Sequence, residues 1–192
     1  MSRSAAGTSA KRCVADANAL STELTNGEVR LVPLADRHLE ELRAVCAEDQ
    51  EIWEIYPYSM LGEHFDEAIA ARRAAPGANF AAFQGEEVVG ITSYLRPDAV
   101  QGAVDIGGTY IAPRMRGTDF NRRMKRLMIE HAFACGFRRI EFRVDERNTR
   151  SQAAVLKLGA KREGLLRQDR ITWTGHIRNT CIFGLLKEDW QG

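Results

Sequence analysis

The feature that most limits what this chain can fold into is a change of texture across residues 110–135. Tyr110-Ile111-Ala112 closes a strand-like run, and Pro113-Arg114-Met115-Arg116-Gly117-Thr118-Asp119 is a short basic loop with one glycine. From there Met124, Leu127, Met128, His131, Ala132 and Cys135 recur at the spacing of a single apolar helix stripe. A strand feeding such a helix through a glycine loop implies a mixed α/β architecture. It also sets a helix start, with its unpaired N–H groups and positive dipole end, where a phosphate can reach it. Gly117 lets backbone approach a ligand closely, and Arg114, Arg116, Arg122 and Arg123 add positive charge. No Gly-Lys-Ser/Thr follows and no GxGxxG is present, so the loop is neither a Walker A nor a dinucleotide fingerprint.

The rest of the chain fits around this unit. Val29, Leu31 and Pro33 alternate as a strand, and Asp36 is placed to cap a helix carrying Leu39, Leu42 and Cys46. Pro57 makes a long helix through Glu51–Leu61 unfavourable, and a second helix follows with Phe65, Ala68 and Ile69. Phe80–Phe83 and Val88–Ile91 flank the polar tip Gln84-Gly85-Glu86-Glu87 as a hairpin. In the strand Val104–Ala112, Gly107-Gly108 suggests a bulge or a close ligand. Ile140, Phe142 and Val144 form a further strand, Ala154, Val155 and Leu158 a helix ending at Gly159, and Leu165–Trp173 with Ile177–Leu186 a closing hairpin. Residues 1–27 read as a peripheral extension, leaving residues 28–192 as one domain.

Charge and cysteine usage exclude several classes of function. With 27 Lys and Arg against 26 Asp and Glu, the net charge of +1 offers no global field for nucleic acid or an anionic membrane. Cys13, Cys46, Cys135 and Cys181 form no CxxC pair, which argues against zinc and against a redox dithiol and for reduced thiols. No apolar run approaches the roughly 20 residues of a membrane span, and the N-terminus lacks a signal-peptide core. A cytoplasmic location is expected. His131 on the helix stripe reads as a satisfied, half-buried histidine rather than a base.

Arg114-x-x-Gly117-x-Asp119 resembles the coenzyme A pyrophosphate loop of the GNAT acetyltransferases, Gln/Arg-x-x-Gly-x-Gly/Ala, departing at its last position. Asn148-x-Arg150-Ser151-x-x-Ala154-x-x-Lys157-Leu158-Gly159-Ala160 is similar to the branch of ribosomal-protein N-terminal acetyltransferases. The resemblance implies an α/β fold with a central, mostly antiparallel sheet, splayed where the coenzyme enters and covered by helices on both faces. It implies acetyl-CoA as co-substrate, no metal, an amine acceptor on a peptide or small molecule, and direct attack of that amine on the thioester. It also leaves a homodimer open. Cofactor contacts are expected from Thr109, Tyr110, Ile111, Arg114, Arg116, Gly117, Thr118, Asp119, Phe120 and Asn121, with Asn148 on the pantetheine arm. Asp119 is either a helix cap or a carboxylate repelling the pyrophosphate.

The resemblance further implies that Asp105 removes the amine proton through water, against its reading as an ordinary strand residue. Many family members place a thiolate-protonating tyrosine where this chain has Val155. Ser151 is then the nearest hydroxyl for that role, competing with a role as helix cap. Asn148 is equally placed to cap that helix. Trp53, Tyr56 and Tyr58 either line an acceptor pocket or pack a connection between helices. The alternative to an enzyme is a non-catalytic acyl-CoA-binding module of the same fold.

Overall fold

A computed structural model describes residues 14–192. Cys13 and the rest of residues 1–13 lie outside the described residues. Eight strands form one sheet in the order β1-β2-β3-β4-β5-β6-β8-β7. They are β1 (Leu24–Asn26), β2 (Val29–Pro33), β3 (Gly77–Gln84), β4 (Glu87–Asp98), β5 (Ala103–Ile111), β6 (Arg139–Asp145), β7 (Lys161–Ile171) and β8 (Ile177–Leu186). Four α-helices interrupt them: α1 (Leu39–Ala47), α2 (His64–Ala74), α3 (Phe120–Ala134) and α4 (Thr149–Lys157).

Every neighbouring pair is antiparallel except β5 and β6, which are parallel and pair only from Ala103↔Arg139 to Asp105↔Glu141. Beyond that register the two strands part. Ile106–Ile111 and Phe142–Asp145 therefore face a gap with one backbone edge each unpaired, and this gap is the splay. On the β4 side the register shifts between Ile91↔Tyr110 and Ser93↔Gly107, leaving Gly108 and Thr109 opposite Thr92 alone. Gly108 takes φ +57°, which a side chain adopts only with strain, so the paired glycines do make a bulge.

Side-chain alternation sets the layers. Along β4, Thr92 and Tyr94 meet α3, through Lys125 Nζ and the Met128 carbonyl, while Ser93 meets Arg72 of α2. Tyr110 of β5 points the same way as Ser93 and donates to the Val45 carbonyl of α1. Helices thus cover both faces of the sheet, with α1 and α2 opposite α3.

One local reading differs from sequence expectation and another meets it. Asp36 does not cap α1: it begins a short 3₁₀ turn, pairs with Arg73 at 2.7 Å, and leaves the Ala35 N–H to His38 Nδ1. The aromatic stretch after α1 is a 3₁₀ turn over Glu51–Ile55, ended before Pro57 as proline sterics require.

Residues 14–27 are tied to the body of the fold. Leu20 and Leu24 are buried, β1 pairs with β2, and the Ala15 and Asp16 N–H groups donate to the Ala99 and Cys135 carbonyls. A chain beginning at Glu28 is expected to unfold at lower temperature. The two leucines alone account for roughly 3 to 6 kcal/mol of burial, which corresponds to a drop on the order of 10 °C in Tm for a chain of this size. An unchanged Tm would return this segment to the status of an appendage.

Candidate active site

The splay opens a cavity of about 670 Å³. Gly107–Thr109 and Ile111 of β5 form one wall, and Phe142–Val144 of β6 the other. Arg116–Asp119 of the basic loop closes one end, and Asn148, Ser151 and Val155 bring in α4. A second cavity of about 360 Å³, edged by His64, Glu67 and Trp173, shares Tyr58, Leu95 and Gly108 with the first. The two spaces therefore meet at the bulge.

The basic loop turns through a 3₁₀ step, Pro113–Met115, before α3 begins at Phe120. Gly117 sits at φ +82°, and a Cβ built on it meets nothing within 4 Å, so the backbone there faces open space. Among the described residues, the N–H groups of Gly117, Thr118, Asp119, Asn121 and Arg122 have no backbone acceptor. Thr118 Oγ1 takes the Phe120 N–H at 3.2 Å and donates to the Met115 carbonyl at 2.8 Å. Asp119 occupies the N-cap position, but its side chain makes no capping hydrogen bond and is exposed. The capping hydroxyl belongs to Thr118, and the remaining N–H groups are donors of the kind that a helix start can offer an anion.

The loop arginines are less free than their sequence suggests. Arg114 pairs with Glu48 at 2.5 Å and Glu87 at 3.5 Å, and Arg116 pairs with Asp49 while its Nε donates to the Ile111 carbonyl. The Arg116 hydrogen bond holds the Asp49 carboxyl below its ordinary range. Arg123 donates to the Asn26 carbonyl. Arg122 has no ion pair among the described residues and lines the cavity, joined from α4 by Arg150, which sequence reasoning did not single out.

On α4, Asn148 is the cap: its Oδ1 accepts the Ser151 N–H at 3.0 Å. The Ser151 hydroxyl has no capping duty and lines the cavity with Val155. Asp105 also lines it, but its carboxylate is paired with Arg96 and lies 3.5 Å from Arg143 Nε. Two guanidinium groups thus already engage this buried carboxylate.

Four expected contacts fall outside the cavity lining. Trp53 is fully buried: its ring stacks on Tyr110 with centroids 4.8 Å apart, and its Nε1 donates to the Cys46 carbonyl. Tyr110 and Phe120 are likewise core side chains, and Arg114 is turned to Glu48 and Glu87. Strand alternation sends Tyr110 to the α1 face while Thr109 and Ile111 keep to the cavity. Tyr56 and Tyr58 do line it: the Tyr56 hydroxyl donates to the Thr109 carbonyl, and the Tyr58 hydroxyl accepts from Arg72. His131 is half-buried, hydrogen-bonded to the Ala19 carbonyl, and away from the cavity.

Lys125 lines the cavity, though sequence reasoning did not count it among the site residues. It sits beside Met124 and Met128 at the edge of the α3 stripe, a sequence position where a lysine normally snorkels to solvent. Here it is buried and part of the cavity wall.

The chain matches the Acetyltransferase (GNAT) domain family over residues 28–161. A probable acetyltransferase (GNAT family) from Chromobacterium violaceum ATCC 12472 superimposes with a TM-score of 0.87 at 28% identity, over 100% of this chain and 98% of that one. A structure from T. thermophilus assigned as an acetyltransferase gives a TM-score of 0.79 at 32% identity, over 88% and 90% of the two chains. The spermidine N-acetyltransferase from Vibrio cholerae, solved with CoA and spermine, shares the fold at a TM-score of 0.70 and 14% identity, over 85% and 98%. No curated protein matches the sequence. No helix among the described residues is long and apolar enough to cross a membrane.

Proposed function

This chain belongs to the GNAT acetyltransferase family, and from that premise we propose that it moves an acetyl group from acetyl-CoA to a primary amine of a peptide or small molecule. The observation that carries the proposal is continuity: free N–H groups at the α3 start open onto the splay, and the splay meets a second cavity at the Gly108 bulge. A diphosphate has its donors at one end, and an acceptor has its own approach at the other. Acetyl-CoA fits these residues because the N–H groups offer donors beside Arg122 and Asp119, and the unpaired edge of β5 offers backbone to an extended amide-bearing arm. The coenzyme supplies the activated thioester.

The protein's part is to align the amine with that thioester, exclude water and stabilise the charge that develops. Because Asp105 is engaged by Arg96 and Arg143, it is better suited to orienting a water than to strong base catalysis. That favours an α-amine, whose reference pKa of roughly 7.7–8.0 needs far less help than a lysine at about 10.4. The Asn148-to-Ala160 segment puts the ribosomal-protein N-terminal branch first among acceptor types, and the free thiols Cys46, Cys135 and Cys181 accord with a cytoplasmic setting. A mass-spectrometric screen of acceptors with acetyl-CoA, spanning peptide N-termini, ribosomal-protein N-termini, polyamines and aminoglycosides, tests the proposal. Coenzyme binding without thiol release across the panel would favour the second reading, a non-catalytic acyl-CoA-binding module, which Val155 in the usual tyrosine position supports.

Ser151 gives a cleaner test than its helix position first suggests. Since Asn148 already caps α4, Ser151→Ala is expected to leave Tm within about 2 °C, a change worth less than about 0.5 kcal/mol. If the hydroxyl assists the departing thiolate, kcat falls by about 10²-fold with coenzyme affinity unchanged. Full turnover in the folded variant would remove Ser151 from the catalytic set.

A further inference from the structure

Lys125 is the one buried lysine among the described residues, and no carboxylate faces it. Its Nζ donates to Thr109 Oγ1 at 2.5 Å and Thr92 Oγ1 at 3.2 Å, and these hydroxyls also bond each other at 2.8 Å. Two of the cavity's three carboxylates are committed elsewhere, Asp105 to Arg96 and Arg143 and Asp145 to Arg147 and Arg178, and the third, Asp119, stands at the helix start with no ion pair to Lys125. Arg116 is held by Asp49, while Arg122 and Arg150 add only positive charge. A cation in the cavity wall thus rests on two neutral hydroxyls. Burial lowers the Lys125 pKa to about 7, with no charged neighbour contributing.

Its place along the site is informative. Lys125 lies between the helix start and the bulge, about one and a half turns into α3, which is roughly 8 Å along its axis. An arm running from the Gly117–Asn121 donors along the open edge of β5 to the bulge at Gly108 and Thr109 passes its ammonium. Resting on the acetyl-transfer reading, we propose that Lys125 is a catalytic residue, the cation that meets the coenzyme's sulfur as it leaves as a thiolate.

The balance is simple. The uncharged acceptor nitrogen forms the new N–C bond, and the C–S bond breaks with its electron pair going to sulfur. The nitrogen releases its proton to water, and the Lys125 ammonium neutralises the thiolate in place. An active site without the tyrosine acid thereby acquires an electrostatic substitute, and the absence of a protein anion around Lys125 becomes functional, since its counter-ion is generated only by the reaction.

The test needs no acceptor. Coenzyme A bound to the full chain is titrated by its thiolate ultraviolet absorbance, with the ligand-free protein titrated in parallel to subtract its own thiols. The bound thiol is expected to ionise at least one pH unit below free coenzyme A, a tenfold or greater preference for thiolate. Lys125→Met should keep coenzyme affinity within about threefold and abolish the displacement. A bound thiol that ionises at or above the free value in the wild-type protein would overturn the proposal. So would a displacement that survives Lys125→Met, because Arg122, Arg150 or the α3 dipole would then be its source. If the wild-type protein fails to bind coenzyme A at all, the acetyl-transfer reading falls and this inference falls with it.

Discussion

Gly117→Glu is expected to reduce coenzyme A affinity by at least 100-fold while the protein stays folded. Two effects add. At φ +82° a side chain costs about 1–2 kcal/mol of backbone strain, and this falls mainly on stability, because the new Cβ meets no atom and nothing is displaced. The larger effect is on binding. The new carboxylate points into the space on which the Gly117–Arg122 N–H groups open, and a like charge at about 4 Å with an effective dielectric near 20 is worth roughly 4 kcal/mol of repulsion. Even half of that, with the loss of close backbone approach, exceeds the approximately 2.8 kcal/mol that a 100-fold change represents. Gly117→Ala separates the contributions, since it carries the strain without the charge and should lose much less affinity. Isothermal titration of coenzyme A against both variants decides the point, and undiminished binding by folded Gly117→Glu would move the pyrophosphate elsewhere.

Trp53→Ala should be the most damaging single substitution for stability. Emptying the space of a fully buried indole costs about 3–5 kcal/mol, and here it also removes the stacking partner of Tyr110 and the donor to the Cys46 carbonyl. Tyr110 anchors β5 to α1, so the loss falls on the strand that forms one wall of the cavity. Denaturant unfolding should show a lower midpoint with unchanged slope. If the variant instead kept its stability and changed only its KM for an acceptor, Trp53 would belong to the acceptor site.

What could be read in the sequence was what is local. The apolar stripe of α3 and the turn between β3 and β4 follow from periodicity, and the bulge follows from Gly107-Gly108 because few other residue pairs accept such backbone. The open backbone at Gly117 and the start of α3 were legible for the same reason: loop and helix are adjacent in the chain. For α3 the sequence offered Asp119 as one candidate cap, and the capping hydroxyl is that of its neighbour Thr118. On α4 the sequence left Asn148 and Ser151 as rivals, and the hydrogen bond from Ser151 N–H to Asn148 resolves it. What could not be read was long-range. Arg114 and Arg116 find Glu48 and Asp49 from the far end of α1, and nothing in either segment announces the other. Trp53 and Tyr56 are three residues apart, yet the 3₁₀ turn sends one into the core and the other to the cavity. Lys125 escaped because composition gives no sign that a lysine will be buried without an anion.

The clamp between the basic loop and the end of α1 changes what those arginines contribute to affinity. With Arg114 and Arg116 already holding Glu48 and Asp49, the loop loses its conformational entropy on folding rather than on binding, so the coenzyme meets a preorganised surface. Most of the loop's charge is also neutralised beforehand, leaving backbone dipoles and Arg122 to attract the phosphates. Short-range dipoles are screened far less by electrolyte than free surface charges are. Coenzyme affinity should therefore vary little with ionic strength. Because Arg116 depresses the Asp49 pKa, the tie is intact at neutral pH and releases only as pH falls below the ordinary carboxylate range, where protonation of Asp49 loosens the loop.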